Sequence, residues 1–496
     1  MTNSALWITL AGMIGLAVIA VGGHRTRARN LSEWTVGKRN FGVVTSFFLQ
    51  AGESFTTFTF LGVAGIAFTA GIGATYAIPY IPLGYVALYF IGPRIWKLSK
   101  DRGYITQADF FADRYRSPLL GRLVALCGII FLLPYLQLQI TGLGLIVRLV
   151  TGSASSGTLS MIVATVLVVG FVLWAGIHGL ARTAYVKDVL ILLAVVVLSL
   201  VIPLHFAGGI GDVFGQIAQT HSEMLTVNPG DYDKVWWTTS LLISAIGCGF
   251  LTTPHLWPPL LAAKNGRVIR SNNTFLPMYQ VVMILPIMLG FVGILALNPN
   301  TSSNAVLLTL AGGALPNWAL GLIAIAAASA AMLPAGAICI GISTLASHNL
   351  VKIESERTTL RFNHLVVIAA ATMALVLGLT RPDLLANLLL LTFGGLSQLA
   401  PGLALALPEK PLLAKQSVFA GLLVGMLTVI VMTFFELNLT NIDAGICGLV
   451  LNLAVIAAVE TVVRVARPRT PTPSPSENTA PSEDRPAAAP ILETSK

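Results

Sequence analysis

The sequence predicts an all-α polytopic membrane protein with about thirteen membrane-spanning helices. Hydrophobic residues make up 55% of the 496-residue chain and charged residues only 10%, whereas an ordinary soluble domain is roughly 25% charged. A spanning helix needs ~20 mostly apolar residues, and stretches of that length recur from Leu6 to Val463. A membrane barrel would instead show ~10-residue segments of alternating polarity, which the long apolar runs of this chain do not contain.

The hydropathy pattern divides the chain into one large domain and a tail. We expect a transmembrane domain over residues 1–464, with helices at 6–23, 42–70, 73–95, 119–150, 157–177, 186–206, 235–262, 274–297, 317–347, 363–380, 384–407, 417–435 and 442–463. An outer loop with a short amphipathic helix near 213–224 follows the sixth helix. Residues 465–496 are rich in Pro, Ser, Thr, Ala and Glu. Such a segment buries too little apolar area to order itself, so we expect a disordered cytoplasmic tail.

The basic residues predict the orientation. If the N-terminus is outside, the inward segments hold all but three of the 30 Lys and Arg residues, the exceptions being Arg148, Lys234 and Arg381. Positive charge on the cytoplasmic side sets the orientation of a membrane protein. We therefore expect a multi-pass protein of the bacterial inner (plasma) membrane with its C-terminus in the cytoplasm. The net charge of +9 is then a topological signal and does not indicate nucleic-acid binding.

Two of the predicted helices carry polar residues and helix breakers near their middles. In the run 42–70 these are Gln50, Gly52, Glu53, Ser54, Thr56, Thr57, Thr59 and Gly62. In the run 235–262 they are Ser244, Gly247, Gly249, Thr252, Thr253, Pro254, His255, Pro258 and Pro259. Unsatisfied backbone groups in lipid cost several kcal/mol each, so such breaks are tolerated only where they line a cavity. Paired broken helices are typical of inverted-repeat transporters, which bind solute and ion at the breaks.

The position of the two breaks supports an internal repeat. The broken helices are the second and the seventh, so helices 2–6 and 7–11 would form two five-helix repeats. Because each repeat has an odd number of helices, the second copy must be inverted relative to the first.

Glu53 is the first candidate for solute or ion binding. An isolated carboxylate near the membrane middle is costly and tends to face a cavity or to relay protons. The alternative is a structural carboxylate that caps the N-terminus of a half-helix. Gly52, Thr56, Thr57 and Thr59 complete this first group of candidates.

The second break supplies another group of candidates. Thr252, Thr253 and His255 lie there, and imidazole titrates in the physiological range, although His255 could equally be a packing residue. Gln137 and Gln139 lie inside an apolar helix, where each amide needs a partner. Substrate contact and an interhelical hydrogen bond are both open for them.

Two further residues suggest a gate or a structural role. Asp188 follows Lys187 at the inner mouth of a helix, which favours a gate or a structural ion pair. Pro334 disturbs the hydrogen-bond ladder of the ninth helix. It follows a run of small residues at 324–331, which favours close packing against a broken neighbour.

Three stretches resemble the sodium:solute symporters. They are Phe-Leu-Gly-Val-Ala-Gly at 60–65, Gly-Tyr-Ile-Thr-Gln-Ala-Asp-Phe-Phe-Ala-Asp-Arg-Tyr at 103–115 and Ala-Tyr-Val-Lys-Asp-Val-Leu at 184–190. The resemblance runs from the N-terminus to about residue 464. It implies the LeuT-type inverted repeat with extra helices, usually thirteen in all, and ion-coupled uptake of a small solute.

Within this family the chain most resembles the bacterial monocarboxylate permeases, which take up lactate, pyruvate and related acids. The closer similarity lies in Pro-Tyr-Leu-Gln-Leu-Gln at 134–139, Thr-Pro-His-Leu-Trp at 253–257, Arg-Val-Ile-Arg-Ser-Asn-Asn at 267–273 and Met-Leu-Pro-Ala-Gly-Ala at 332–337. Met332, in the last stretch, joins the candidates for solute binding on this resemblance. The branch also tends to have an acid at the position of Glu53.

One departure concerns the coupling ion. Sodium-coupled relatives place a Ser/Thr hydroxyl pair on the ninth helix, which completes a sodium shell with carbonyls of the broken helix. The backbone of Gly52 and Phe55 would supply those carbonyls here, but Leu333 and Pro334 stand where the hydroxyls should be. Neither side chain carries an oxygen. The coupling ion is therefore sodium or a proton, and a proton would be carried by Glu53.

The sequence as a whole predicts a secondary active transporter. We expect a small-molecule solute and the lipid bilayer as its partners, with no cofactor, no nucleic acid and no obligatory protein partner. The solute could also be an amino acid, pantothenate, acetate or another small compound, and a membrane sensor module is the alternative outside transport. No catalytic or metal-ligand motif stands in a credible context, so we do not expect an enzyme.

Overall fold

The computed structural model describes residues 3–22, 30–152, 157–227, 231–351, 353, 355–381, 385–437 and 439–466, and every regular element in these ranges is a helix. An isolated bridge between Phe41 and Ala263 is the one strand-like pairing found there. Most of the predicted tail, from residue 467 on, lies outside the described residues, as do the basic residues Arg25, Arg27 and Arg29.

Among the described residues, the first half of the chain contains nine α-helices. They are α1 (Asn3–Val21), α2 (Leu31–Val36), α3 (Val43–Ser54), α4 (Val63–Ala70), α5 (Ala77–Arg102), α6 (Gln107–Arg114), α7 (Pro118–Thr151), α8 (Gly157–Ala207) and α9 (Ile210–Thr220). A π-helical turn, Phe58–Gly62, leads into α4, and 3-10 turns occupy Gly71–Tyr76 and Ser222–Leu225.

The second half contains eleven. They are α10 (Lys234–Gly249), α11 (Trp257–Leu261), α12 (Gly266–Gln280), α13 (Ile284–Ala296), α14 (Val306–Ala314), α15 (Asn317–Thr344), α16 (Glu356–Thr380), α17 (Leu385–Leu396), α18 (Ala400–Ala404), α19 (Lys415–Phe434) and α20 (Ala444–Ala466). A π-helical turn, Leu345–Leu350, extends α15, and 3-10 turns occupy Pro254–Leu256, Val281–Met283, Ser303–Ala305 and Ser397–Leu399.

Ten helices of the described residues are long and apolar enough to cross a membrane, and the bent pair Lys234–Gly249 and Pro254–Leu261 raises the number to eleven. The apolar helix Ser4–Ala20 is shorter than these. The 45-residue helical run Phe58–Arg102 contains Gly71 at a φ of +54°. A straight helix of that length would span about 67 Å, more than twice a bilayer core. Dividing the run at Gly71 and counting the first helix gives the thirteen helices expected from the sequence.

The connection between the fifth and sixth predicted helices differs from the prediction. Residues 178–185 were expected to form an inward loop, but α8 is helical throughout except at Gly176, whose φ is +49°. A single glycine with a positive φ kinks the helix there, because glycine has no Cβ to oppose that conformation. Arg182 was expected in that loop, and Lys187 was expected at the inner mouth of the helix that follows it. Arg182 Nη2 instead donates to the carbonyl of Ala20 at 2.8 Å, and Lys187 is buried inside the bundle.

The helix α15 forms the centre of the bundle. It packs against α1, α7, α8 and α16, and its most apolar segment is entirely buried. The alanines at 324, 326–328 and 330–331 make this possible, because small side chains let helix backbones approach closely. The pair α19 and α20 packs together at the edge of the bundle and exposes residues such as Val462 and Val465, as expected of a lipid-facing surface.

Both predicted breaks are present. The helix α3 ends at Ser54 and helical structure resumes at Phe58. The helix α10 ends at Gly249, and after a bend of 40° the chain resumes at Pro254. The helix α3 packs against α8 and α12, and α11 packs against α3 and α5. The two breaks are therefore held by neighbouring helices and not exposed to lipid.

A polar cluster connects α6 to the π-helical turn that extends α15. Thr106 and Asp109 form a capping box at the start of α6, Asn349 Nδ2 donates to Asp109 Oδ1 at 2.7 Å, and His348 Nε2 lies 3.1 Å from the same carboxylate oxygen. Burial alone would raise the pKa of Asp109, but hydrogen bonds from His348, from the Ile105 backbone and from Asn349 lower that pKa below its ordinary value.

The lowered pKa of Asp109 predicts a pH-dependent contribution to stability. A carboxyl group with a depressed pKa in the folded state stabilises the fold above its ordinary pKa of about 4, and this contribution disappears as pH falls toward the folded value. Asp109→Asn should therefore lower the melting temperature of the detergent-solubilised protein at pH 7, and the difference from wild type should shrink below about pH 4. Asp101→Asn, at an exposed position, is the control. Equal losses at both pH values would contradict the assignment.

The close contact between α13 and α4 predicts a second effect on stability. A Cβ atom added at Gly290 would lie 2.3 Å from the carbonyl oxygen of Ala64, so Gly290→Val must push the helices apart. Overpacking of this kind costs roughly 1–3 kcal/mol or more, and we expect a lower melting temperature. Gly170→Val in α8, where an added Cβ meets nothing within 4 Å, should leave the melting temperature nearly unchanged.

Candidate functional site

A cavity lies between the two breaks in the middle of the bundle. Its empty volume is about 710 Å³, including the open space at its mouth. Its polar lining residues are Gln50, Glu53, Ser54, Thr56, Thr59, Tyr80, Tyr85, Tyr135, Thr253 and His255. Its other lining residues are Ile81, Gly84, Leu88, Cys248, Leu251, Leu256, Pro259, Leu260, Leu389 and Phe393. The lining thus combines hydroxyl groups and apolar surface, with one carboxylate and neither Lys nor Arg.

Hydroxyl and amide side chains satisfy the backbone at the first break. Thr56 Oγ1 accepts from the Phe58 backbone N–H at 3.1 Å, and Thr59 Oγ1 donates to the Ser54 carbonyl at 3.0 Å. From α7, Gln139 Oε1 accepts from the Thr57 N–H at 3.3 Å. These contacts replace the helical hydrogen bonds that the break removes, which explains why threonines crowd this segment.

The second break is held in a similar way. Thr252 Oγ1 donates to the Gly247 carbonyl at 2.9 Å. From α6, Gln107 Nε2 donates to the carbonyls of Leu251 and Thr252 at 3.1 and 3.0 Å. Trp257 Nε1 donates to the Leu251 carbonyl at 2.8 Å. Three side chains thus fix a chain segment in which Leu251 adopts a φ of +52°.

Four polar groups of the cavity wall have no hydrogen-bond partner among the described residues. They are Nε2 of Gln50, both carboxylate oxygens of Glu53, the hydroxyl of Thr253 and Nδ1 of His255. Glu53 is only 1% exposed and His255 only 2%, and the His255 ring packs edge-on against Tyr135 with a centroid distance of 5.2 Å. Buried polar groups are normally paired, so these groups are available to a bound solute.

Lys187 lies on the other side of the first break. Its Nζ atom donates to the carbonyls of Gly52 and Phe55 at 2.8 and 2.6 Å and lies 3.1 Å from Asp188 Oδ1. The side chains of Lys187 and Asp188 are 0% and 1% exposed. The ion pair expected of Asp188 is present, but it lies within the bundle and not at a helix mouth. Sequence reasoning missed Lys187 because its charge was counted as a topological signal.

The structure brings only part of the predicted set to the cavity. Glu53, Thr56, Thr59, Thr253 and His255 line it. The predicted candidates outside the lining are Gly52, Thr57, Gln137, Gln139, Thr252 and Met332, with the predicted gate or structural residues Asp188 and Pro334. Gly52, Thr57, Gln139 and Thr252 instead hold the breaks through the contacts described above. Gln137 Nε2 donates to the Arg381 carbonyl at 3.0 Å, and Pro334 lies within the buried α15.

Several residues of the wall were not predicted. Ser54 and the tyrosines of α5 and α7 are the main ones, and the Ser54 hydroxyl contacts the Tyr85 hydroxyl directly. Tyr80 and Tyr85 lie five residues apart on α5, a spacing that gives no signal in a helix rich in apolar residues. Only the packing of α5 beside both breaks brings them into the cavity.

No cluster of three or more His, Cys, Asp or Glu side chains that could hold a metal ion occurs among the described residues. A sodium site would therefore depend on backbone carbonyls and hydroxyl groups.

Comparison with known proteins gives a family and a fold. The model of the sodium:solute symporter family matches residues 34–428. YhjB, an uncharacterized symporter of Bacillus subtilis, is 33% identical over 482 residues, which are 94% of this chain and 98% of that protein. A monocarboxylate transport permease protein of Rhizobium johnstonii is 30% identical over 325 residues, 65% of each chain.

Two solved structures share the architecture. One is a Na+-coupled sialic acid symporter in a substrate-bound outward-open state, with a TM-score of 0.76 and 15% identity over 94% of this chain and 99% of that chain. The other is Mhp1, a nucleobase-cation-symport-1 family transporter, with a TM-score of 0.55 and 15% identity over 88% of this chain and 96% of that chain. At such identities the likeness concerns the fold alone, and it confirms the predicted LeuT-type architecture.

The hydrogen bond between Gln139 and the first break predicts a loss of stability. Gln139→Leu removes the acceptor of the buried Thr57 N–H, and an unsatisfied buried donor costs about 1–3 kcal/mol. We expect a clearly lower melting temperature in detergent. Gln137→Leu, two residues earlier on α7, is the matched control, because its partner is a part-buried carbonyl at the end of α16. A larger loss from Gln137→Leu than from Gln139→Leu would reject this role of Gln139.

Proposed function

This chain belongs to the sodium:solute symporter family, and we propose that it is an ion-coupled symporter that imports a short-chain monocarboxylate such as lactate or pyruvate. The Rhizobium johnstonii relative, described as a monocarboxylate transport permease protein, supports this solute class. The single observation that carries the proposal is the cavity at the two breaks, whose free polar groups are a carboxyl group, a hydroxyl group, an imidazole and the amide nitrogen of Gln50.

The cavity chemistry suits a small organic acid. Hydroxyl groups of Thr253 and Tyr135 and the imidazole of His255 can donate to a carboxylate, while Leu389 and Phe393 offer apolar surface to a short carbon chain. A few polar groups in a mostly apolar wall are typical of sites that orient a small ligand. The solute would bind without a Lys or Arg side chain in the wall.

Glu53 links the solute to the coupling ion. Two ionised carboxylates in one dry cavity repel each other strongly, so one of them must be neutralised. A cation or a proton that enters with the solute would do this, and the solute carboxylate would then bind beside Glu53. Glu53 therefore favours uptake of a monocarboxylate together with a positive charge.

Alternating access would open this cavity to each side of the membrane in turn. In LeuT-type transporters the site lies near the midplane, and one bundle of helices moves against the rest. The distribution of Lys and Arg favours the bacterial inner membrane, with the N-terminus outside and the tail in the cytoplasm. The two relatives are described as an uncharacterized symporter and a monocarboxylate transport permease protein, which favours transport over catalysis or sensing.

A solute with an amino group is the second candidate. A wall with one free carboxylate and neither Lys nor Arg can bind an ammonium group through a direct ion pair with Glu53. An amino acid would satisfy both Glu53 and the hydroxyl donors. Competition of unlabelled lactate, pyruvate and amino acids against one labelled solute separates the two candidates.

The test is uptake by the purified protein in proteoliposomes. We expect radiolabelled lactate or pyruvate to accumulate under an imposed ion gradient. Glu53→Gln should reduce concentrative uptake by at least about tenfold, which corresponds to ~1.4 kcal/mol, because the variant carboxamide cannot exchange a charge with the solute. Glu356→Gln, at an exposed acid in α16, should leave uptake unchanged.

Two results would count against this function. Absence of lactate and pyruvate uptake under proton and sodium gradients alike would move the search to amino acids and vitamins. Unchanged concentrative uptake in Glu53→Gln would remove Glu53 from coupling.

A further inference from the structure

The ammonium group of Lys187 places a positive charge at the first break. Lys187 Nζ has three oxygen neighbours, the carbonyls of Gly52 and Phe55 at 2.8 and 2.6 Å and Asp188 Oδ1 at 3.1 Å. An ammonium group has three N–H donors and no acceptor. Each donor therefore has an oxygen within reach, and the Lys187 side chain is fully buried.

The two carbonyls are those that a sodium ion would need. They belong to the last turn and the C-cap of α3, where the negative end of the helix dipole favours a positive charge. The family resemblance suggested the same carbonyls as sodium ligands. Lys187 already uses them, and two cations cannot share these oxygens at such distances.

The facing helix, α15, does not offer other oxygen ligands for a sodium ion. A Cβ atom added at Gly52 would lie 3.1 Å from Leu333 Cδ2 and 3.4 Å from Asp188 Oδ1, so the Leu333 side chain fills the space where α15 approaches the break. Ser329, one turn away on α15, donates within its own helix to the Ala326 carbonyl at 2.7 Å. Sodium prefers oxygen ligands, and neither Leu333 nor Pro334 supplies one.

We propose that Lys187 is a built-in cation that takes the place of sodium at the α3 break, so that this chain transports its solute without sodium. The ammonium group neutralises the carboxyl end of α3 and pairs with Asp188, as a bound ion would. Glu53, one residue from Gly52, also lies within electrostatic reach of Lys187. The statement on transport rests on the proposed function, whereas the statement on the cation site does not.

The first experiment needs no solute. We would measure the melting temperature of the detergent-solubilised full chain in sodium, potassium and choline chloride at equal ionic strength. The wild type should melt at the same temperature in all three salts. Lys187→Ala frees the two carbonyls and the Asp188 carboxylate, so it should melt lower and regain stability in sodium only. Lys234→Ala, at an exposed lysine of α10, should behave as the wild type.

Two results of this melting experiment would overturn the proposal. A sodium-specific rise in the melting temperature of the wild type would overturn the proposal, whether or not Lys187→Ala folds. A folded Lys187→Ala that ignores sodium would also overturn it, since the vacated oxygens would then not form a cation site.

The second experiment addresses transport in proteoliposomes that contain the wild-type chain. Uptake of lactate or pyruvate driven by a proton gradient should be the same when sodium is replaced by choline, and a sodium gradient alone should drive none. Accumulation driven by sodium would overturn sodium independence. If neither acid is taken up, the proposed solute class fails, and the melting experiment still decides the role of Lys187.

Discussion

The need to satisfy backbone groups away from water governs the whole structure. In a bilayer an exposed carbonyl or N–H costs several kcal/mol, so a helix can break only where other groups replace its hydrogen bonds. Here Gln139 and Gln107, from helices next to the two breaks, supply part of that replacement. Threonine hydroxyls within the breaks supply more. The breaks are therefore confined to the centre of the bundle, where they can line a cavity.

Charge inside the bundle follows the same constraint. A buried ion pair costs desolvation energy that is recovered only when the remaining donors and acceptors are satisfied. Lys187 meets this condition through Asp188 and two carbonyls freed by the break. Lys187 thus forms an ion pair with Asp188 and also donates hydrogen bonds to the C-terminal end of α3. Glu53 differs, because its carboxylate has neither a hydrogen-bond partner nor an ion pair among the described residues.

This contrast distinguishes the two faces of the first break. The face toward α8 holds the buried ion pair of Lys187 and Asp188, while the face toward the cavity holds the carboxyl group of Glu53, which has no cation beside it in the part of the chain that the structure describes, and hydroxyl groups. A solute in the cavity would therefore contact the polar groups that remain free. On the opposite side of the same break, Lys187 is hydrogen-bonded to the carbonyls of Gly52 and Phe55.

The sequence by itself determined the helical membrane fold, the two broken helices and the place of Glu53, Thr253 and His255 near them. Those properties depend on hydropathy and on local breakers, which are local properties of the chain. Only the tertiary structure decided that Tyr80, Tyr85 and Tyr135 join the cavity wall and that Gln139 holds the backbone of Thr57. It also moved Lys187 from an expected helix mouth to the break, because the helix that carries it begins at Gly176. Contacts between residues 135 positions apart, such as Lys187 with Gly52, depend on helix packing and leave no local pattern.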